Sequence, residues 1–256
     1  MALLRADHVT HYFGGLCAVS DFNLELESGE LVGIIGPNGA GKTTVFNLIT
    51  GVYKATEGSI HLDGQELVGR KPNAITQLGI ARTFQNIRLF KDLTVLDNVR
   101  IAYYNWLKYS SWESLLHIGR YRAQEELYTN KALDLLEFFK LDQFADELAK
   151  NLPYGSQRRL EIARALATGP KLLLLDEPAA GMNPREIEQL MEFILWVRKE
   201  FGLTILLIEH QMRLVMGICE RLKVLDFGAT IAEGLPAEIR AHPKVLEAYL
   251  GEGGDQ

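Results

Sequence analysis

The most specific motif in this chain is Gly36-Pro37-Asn38-Gly39-Ala40-Gly41-Lys42-Thr43, which matches the pattern G-x-x-x-x-G-K-[ST] without a gap. A nearly continuous apolar run, residues 31–35, precedes it, and a helical stretch, residues 42–50, follows it. Glycines allow a tight turn whose backbone N–H groups point at a polyphosphate, and the N-terminus of the helix adds partial positive charge. The stretch therefore predicts a phosphate-binding loop between a buried strand and a helix.

Within this loop, two side chains carry specific chemistry. Lys42 has the reach to contact β- and γ-phosphate oxygens, and the hydroxyl of Thr43 is a suitable ligand for Mg²⁺.

A second buried strand ends in two carboxylates. Residues 172–175 are four consecutive leucines, and Asp176 and Glu177 follow them directly. Ligands of parallel α/β sheets bind at the carboxyl ends of the strands, where this pair is expected to lie. Adjacent strand residues face opposite ways, so the two carboxylates are suited to different roles. Asp176 is predicted to hold Mg²⁺ through water, and Glu177 to polarise or position an attacking water as a general base.

Charge and hydropathy narrow the class of protein. The 256 residues include 27 basic and 33 acidic side chains, a formal net charge of −6, whereas a general nucleic-acid binder usually has a basic excess. No run approaches the ~18 apolar residues that a membrane-spanning helix needs, so we expect a membrane role only through a partner. Cys17 and Cys219 are too few for a disulfide scaffold or a zinc site, and their apolar neighbours predict inert core thiols.

The order of the predicted elements indicates an α/β fold. Residues 24–27 and 59–62 and the segment 79–83 read as strands. Later strands at 171–175, 203–208 and 222–227 alternate with helices at 157–167, 184–200 and 211–219. Such alternation predicts a mainly parallel sheet with helices on its faces. Leu and aromatic residues recur at helical spacing in residues 121–141, and the segment from about residue 94 to residue 168 is predicted to be a helical subdomain inserted into the α/β core.

Together these residues resemble the nucleotide-binding subunit of an ATP-binding cassette (ABC) transporter, over nearly the whole chain. The phosphate loop and the acidic pair correspond to the family's Walker A and Walker B motifs. Gln85 resembles the Q-loop glutamine, which senses Mg²⁺ and the attacking water. His210, at the end of an apolar strand, resembles the switch histidine that contacts the γ-phosphate. Phe13 resembles the aromatic residue that stacks on adenine, with Tyr12 as the alternative for that role.

The resemblance implies a fold and a set of ligands. It implies a P-loop NTPase of the ABC type over residues 1–256, with a mainly parallel core sheet, an antiparallel β subdomain and the inserted α-helical subdomain. It implies ATP and Mg²⁺ as cofactors. It assigns nucleotide binding to Phe13, Gly36, Pro37, Asn38, Gly39, Ala40, Gly41, Lys42, Thr43 and Thr44, metal binding to Thr43, Gln85 and Asp176, and catalysis to Glu177, His210 and Gln85.

Two less specific stretches narrow the family to one kind of importer. Residues 82–90 (RTFQNIRLF) and residues 242–252 (HPKVLEAYLGE) resemble the G-type ATPase subunit of branched-chain amino acid importers. The resemblance implies ATP hydrolysis that drives transport, and a location at the cytoplasmic face of the inner or plasma membrane. Its implied partners are two transmembrane permease subunits, a second ATPase subunit or a second copy of this chain, and, indirectly, a periplasmic or extracellular substrate-binding protein, with no nucleic acid.

Three other readings stay open at this point. Importers of urea or short amides contain similar ATPases, as does lipopolysaccharide export. A more remote alternative is a soluble ABC ATPase of DNA repair or translation, although this chain has neither long coiled coils nor two tandem cassettes.

The family signature L-S-G-G-Q is altered in this chain. The equivalent stretch is Leu152-Pro153-Tyr154-Gly155-Ser156, at the start of a predicted helix, where the family uses the serine hydroxyl and glycine amides to hold the γ-phosphate bound on the opposite subunit. Pro153 has neither a hydroxyl nor an N–H, and Tyr154 adds bulk where glycine allows close approach. Asn183 also replaces the usual aspartate of the D-loop. We therefore expect two unequal ATP sites in a heterodimer, with the catalytic carboxylates complete on this subunit and the signature that it offers its partner impaired.

Overall fold

The computed structural model describes residues 2–106, 112–113 and 120–251, without the side chains of residues 105, 106, 250 and 251. The chain divides into two compact units. The core unit contains residues 1–85 and 171–256, and the helical unit contains residues 86–170. The helical unit includes the whole of the segment 94–168, which the sequence predicts to be an inserted helical subdomain.

The core unit contains a six-stranded sheet with the strand order β10-β9-β3-β8-β7-β6. Its strands are β3 (Leu31–Ile35), β6 (Ile80–Arg82), β7 (Leu172–Asp176), β8 (Thr204–Ile208), β9 (Arg221–Asp226) and β10 (Ala229–Gly234). All neighbours pair in parallel except β9 and β10, which are antiparallel. Every residue of β3, β7 and β8 is buried, as expected for parallel strands with both faces covered. The predicted mainly parallel core sheet is confirmed.

A second, antiparallel sheet has the order β2-β1-β4-β5. It is formed by β1 (Leu4–Phe13), β2 (Leu16–Leu26), β4 (Glu57–Leu62) and β5 (Gln65–Glu66). Buried side chains of β1, β2 and β4 join residues of the first helix, α1 (Lys42–Ile49), and of the parallel sheet in one apolar cluster. Phe22 and Phe46 are among the largest side chains in that cluster, so α1 is fixed by packing along its length. The antiparallel β subdomain implied by the resemblance is therefore confirmed.

The remaining helices of the core unit follow the strands. They are α2 (Pro72–Leu78), α6 (Pro184–Phe201), α7 (Met212–Ile218), α8 (Pro236–Arg240) and α9 (Pro243–Gly251). Helix α6 begins with a capping box, in which the side chain of Asn183 accepts hydrogen bonds from the N–H groups of Arg185 and Glu186. The residue that departs from the D-loop pattern thus acts here as an N-cap. In the described ranges, no helix combines the length and the apolar character that crossing a bilayer requires.

The helical unit contains α3 (Val95–Arg100), α4 (Arg120–Phe138) and α5 (Tyr154–Leu166), with 3-10 turns at Ile101–Trp106, Asp142–Phe144 and Ala149–Asn151. Helix α5 begins three residues before the predicted start at residue 157. The reason is that the carbonyl oxygen of Pro153 already accepts hydrogen bonds from the N–H groups of Ser156 and Gln157. A buried ion pair between Arg158 and Glu161, 2.8 Å apart, fixes the first turns of this helix.

Candidate active site

Four segments that carry predicted site residues follow the carboxyl ends of neighbouring strands. The phosphate loop follows β3, Glu177 follows β7 directly, His210 lies two residues after β8, and Gln85 lies three residues after β6. The strands are parallel and in close register, with Ile208 opposite both Ile34 and Asp176. These segments therefore meet at one edge of the sheet, where ligands of such folds bind.

The phosphate loop requires glycine at two positions. The φ angle of Gly36 is +148°, and a Cβ there would lie 2.0 Å from the carbonyl oxygen of Leu225. The φ angle of Gly41 is +97°, and a Cβ there would lie 2.5 Å from the carbonyl oxygen of Ala18. The loop thus passes too close to neighbouring backbone for any side chain at these positions.

The start of α1 is suited to an anion. Its N-cap is Gly41, which has no side chain to cap the helix, and the first-turn N–H groups of a helix have no partners within it. Lys42 is buried, and its Nζ atom donates hydrogen bonds to the carbonyl oxygens of Gly36 and Pro37, each at 2.7 Å. The lysine is therefore curled over its own loop, where its charge adds to the positive end of the helix.

The loop lines a cavity of about 520 Å³. The other residues at this cavity are Glu177 together with Leu16, Cys17, Ala18, Phe227 and Gly228. The last two residues belong to the β9–β10 turn, and the N–H of Gly228 donates to the carbonyl oxygen of Ala40 at 3.1 Å. The five residues of β2 and of this turn were not predicted as site residues, since only the tertiary fold brings them to the phosphate loop.

Glu177 is the point where the predicted catalytic residues converge. One oxygen of its carboxylate, Oε2, accepts a hydrogen bond from Nε2 of Gln85 at 2.6 Å and lies 3.6 Å from Nδ1 of His210. Its backbone has a φ of 45°, a strained value for a residue with a side chain, and its N–H donates to the carbonyl oxygen of Ile208 at 2.9 Å. The turn after β7 is thus held to β8, with the carboxylate directed to the cavity.

Asp176 has a different partner. Its Oδ2 atom accepts a hydrogen bond from Nη2 of Arg82 at 2.6 Å, and both side chains are nearly buried. Arg82 also donates from Nη1 to Oδ1 of Asn47 at 2.7 Å, and its guanidinium packs against the rings of Phe46 and Phe84. Arg82 was not predicted as a site residue, although a basic residue that ends a buried strand is a signal for such a pair.

The oxygen atoms of the site fit Mg²⁺. Thr43, Gln85 and Asp176 offer hydroxyl, amide and carboxylate oxygens, the hard donors that this cation prefers. Thr43 is exposed and lines the same cavity as Lys42 and Glu177. Within the described part of the chain, no three His, Cys, Asp or Glu side chains form a group that could hold a metal ion.

The two candidates for stacking on adenine lie at the end of β1. Phe13 packs edge-on against His11 and Tyr53, with ring centroids 4.7 and 5.1 Å apart. Tyr12 pairs across the hairpin with Cys17, which lines the cavity and is only partly buried, so the prediction of a core thiol is wrong for Cys17. Both rings are partly exposed, at 43% for Phe13 and 42% for Tyr12.

The altered signature lies at the start of α5 in the helical unit. Pro153 is the N-cap of the helix and has no side-chain capping bond. Tyr154 is 49% exposed, and the position of Gly155 is open. Ser156 is buried, and its Oγ atom accepts a hydrogen bond from Arg159 at 3.2 Å. The only hydroxyl group within residues 153–156 besides the phenol of Tyr154 is therefore engaged inside the helical unit.

Known proteins resemble this chain over nearly its whole length. Residues 19–180 match the family described as "ABC transporter", and residues 229–255 match the family described as "Branched-chain amino acid ATP-binding cassette transporter". The chain is 48% identical over 250 residues to the high-affinity branched-chain amino acid transport ATP-binding protein LivG of Escherichia coli, with 98% of each chain covered. It is 46% identical over 250 residues to the corresponding protein BraF of Pseudomonas aeruginosa, again over 98% of each chain. A crystal structure of the ADP conformation of an ATP-binding cassette of an ABC transporter matches with a TM-score of 0.84 at 34% identity, and it covers 98% of this chain and 99% of that one.

Proposed function

Since the chain belongs to the ATP-binding subunits of ABC transporters, we propose that it is the ATPase that powers a membrane importer of branched-chain amino acids. The observation that carries this assignment is the 48% identity to LivG across 98% of both chains. The separate match of residues 229–255 to the branched-chain family favours these amino acids over urea, amides or lipopolysaccharide as the cargo.

ATP binding is assigned to the phosphate loop and its surroundings. Lys42 and the uncapped N-terminus of α1 supply positive charge, which supports binding of the triphosphate there. We assign metal binding to Thr43, Gln85 and Asp176, and base stacking to Phe13 or Tyr12. When bound, Mg²⁺ neutralises charge that develops on the transferred phosphoryl group.

Glu177 is proposed to position the attacking water and to accept its proton. Phosphoryl transfer depends mainly on positioning and on charge neutralisation, so the orientation of this carboxylate matters more than its strength as a base. The hydrogen bond from Gln85 to Oε2 holds the carboxylate in one orientation. We assign the contact with the γ-phosphate to His210, whose Nδ1 atom lies 3.6 Å from the same oxygen.

The transporter also contains transmembrane permease subunits, which the family assignment implies. We further propose that the chain docks on two of them at the cytoplasmic face of the membrane, beside a second ATPase subunit or a second copy of itself. A substrate-binding protein outside the membrane would select the amino acid. Pro153 offers no N–H and Ser156 is engaged with Arg159, which supports two unequal ATP sites in a heterodimer.

The assignment can be tested in proteoliposomes that contain the permeases and both ATPase subunits. Lys42→Ala should abolish Mg²⁺-dependent ATP binding and the uptake of radiolabelled leucine. Glu177→Gln should retain ATP binding and lower hydrolysis by about 10²-fold or more, the usual contribution of a general base. The matched control is Glu66→Gln, an isosteric change in the antiparallel sheet. Leucine uptake that persists in Lys42→Ala at the wild-type rate would refute the proposed function.

A further inference from the structure

One buried carboxylate near the site has no role in the mechanism described above. Glu209 directly follows β8, and none of its surface is exposed. Its Oε1 atom accepts a hydrogen bond from the N–H of Ala179 at 2.7 Å. Its Oε2 atom accepts hydrogen bonds from the N–H groups of His210 at 3.0 Å and Gln211 at 3.1 Å.

Burying a carboxylate costs free energy, because the charged group loses its hydration. Burial accordingly raises the pKa of Glu209, while the three backbone hydrogen bonds act in the opposite direction. Hydrogen bonds from N–H groups to an ionised carboxylate are stronger than those between neutral groups. The carboxylate of Glu209 therefore holds its three N–H donors firmly in position.

The donors belong to two different segments of the site. Ala179 lies two residues after Glu177, on the turn that leaves β7, whereas His210 lies on the loop that leaves β8. A carboxylate that only stabilised the loop after β8 would need the N–H groups of His210 and Gln211 alone. The additional bond to Ala179 joins the segment of the general base to the segment of the switch histidine.

We propose that Glu209 is a positioning residue that holds Glu177 and His210 at the separation required for hydrolysis. The inference rests on the proposed function, and it concerns the same site. It predicts that damage to Glu209 lowers the rate of the chemical step and leaves nucleotide affinity intact, because the side chain contacts neither the phosphate loop nor its cavity.

The direct test is Glu209→Gln in the assembled transporter. A carboxamide has the same shape but only one acceptor atom, so its NH₂ group must face either Ala179 or the pair His210 and Gln211. We expect kcat for ATP hydrolysis to fall roughly tenfold to a hundredfold, the cost of a displacement of about 1 Å in a catalytic group. KM for ATP should stay within about twofold of wild type. A change in KM alone would mean the loss of an interaction that the enzyme makes equally with bound ATP and with the transition state, and Glu209 makes no such interaction.

The matched control is again Glu66→Gln. The Oε1 atom of Glu66 also accepts two backbone hydrogen bonds, from Ile60 and Val68, but it lies in the antiparallel sheet. This control should keep the wild-type kcat. If Glu209→Gln does not fold, Glu209→Asp serves instead, since its charge is retained but its shorter side chain cannot reach both segments. The same loss of kcat is expected.

A double-mutant cycle with His210→Ala separates positioning from general destabilisation. When the side chain of His210 is absent, the position of its segment matters less for the rate of hydrolysis. Glu209→Gln should therefore lower the remaining kcat by only about threefold or less. Full additivity of the two changes, or a wild-type kcat in both Glu209 variants, would overturn the proposal. Neither result would affect the proposed function, which is tested by Lys42→Ala.

Discussion

Replacement of Arg82 by methionine should destabilise the core unit strongly, because it removes one partner of a buried ion pair. The side chains of Arg82 and Asp176 are 6% and 7% exposed, and Nη2 of Arg82 lies 2.6 Å from Oδ2 of Asp176. Methionine can occupy the apolar space between the rings of Phe46 and Phe84, so little packing is lost. The carboxylate of Asp176 and the amide oxygen of Asn47 each lose a donor.

The size of the effect follows from the burial of this pair. Removing one partner of a buried ion pair typically costs about 3–5 kcal/mol, because the remaining charge is left without compensation. For a protein of this size, 1 kcal/mol corresponds to roughly 2–4 °C in the melting temperature, so a decrease of roughly 6–20 °C is expected. The double variant with Asp176→Asn should recover most of the loss, since it leaves no buried charge.

The assay is thermal unfolding of the purified, nucleotide-free chain, followed by circular dichroism. Arg213→Met is the matched control, because Arg213 pairs with Glu188 at the surface and both side chains are more than half exposed. A surface pair contributes about 0–1 kcal/mol, so this control should melt within a few degrees of wild type. If Arg82→Met melts as the control does, or if Asp176→Asn fails to restore stability, the account of the buried pair is wrong.

Three further outcomes are expected. Gly36→Ala should lower the affinity for ATP by about tenfold or more, because the new Cβ would collide with a backbone oxygen 2.0 Å away. Gly64 also has a positive φ, +74°, but open space around it, so Gly64→Ala should bind ATP as wild type does in the same equilibrium titration. In maleimide labelling at pH 8 followed by mass spectrometry, Cys17 should react, and ATP should slow this reaction. Cys219 should stay unmodified, because burial raises its pKa to about 12. If ATP leaves the labelling of Cys17 unchanged, the position of Cys17 in the cavity is contradicted. In a heterodimeric transporter, Glu177→Gln should remove most hydrolysis and the equivalent change in the second ATPase subunit much less, so equal losses would contradict the unequal sites.

The strands and helices that determine the site could be predicted from local sequence. The apolar runs at residues 31–35 and 172–175 coincide with β3 and β7 to within one residue, and helix α6 begins at the predicted residue 184. The local sequence signals of these elements are strong. They are a continuous apolar run for a buried parallel strand, a glycine-rich turn, and an N-cap residue followed by proline. The positions of Gln85, Glu177 and His210 then follow from the parallel order of the strands.

Features that depend on strand register could not be predicted in this way. Arg82 meets Asp176 because β6 pairs with β7 so that Arg82 lies opposite Leu174, and neither chain segment specifies this register alone. Glu209 shows the same limit, since its bond to Ala179 joins residues 30 positions apart. The sequence marks Glu209 only as an acidic residue that ends an apolar strand.

The turn between β9 and β10 joins the phosphate loop to the part of the chain that matches the branched-chain transporter family, residues 229–255. The stretch that matches that family starts at residue 229, immediately after Gly228, whose N–H is bonded to the phosphate loop. Strand β10, the first element of this stretch, pairs along β9 and thereby supports the turn. Strand β10 thus supports the turn that forms one wall of the cavity at the phosphate loop, and truncation of the chain after Gly228 would remove this strand together with the helices that follow it and leave the wall without support.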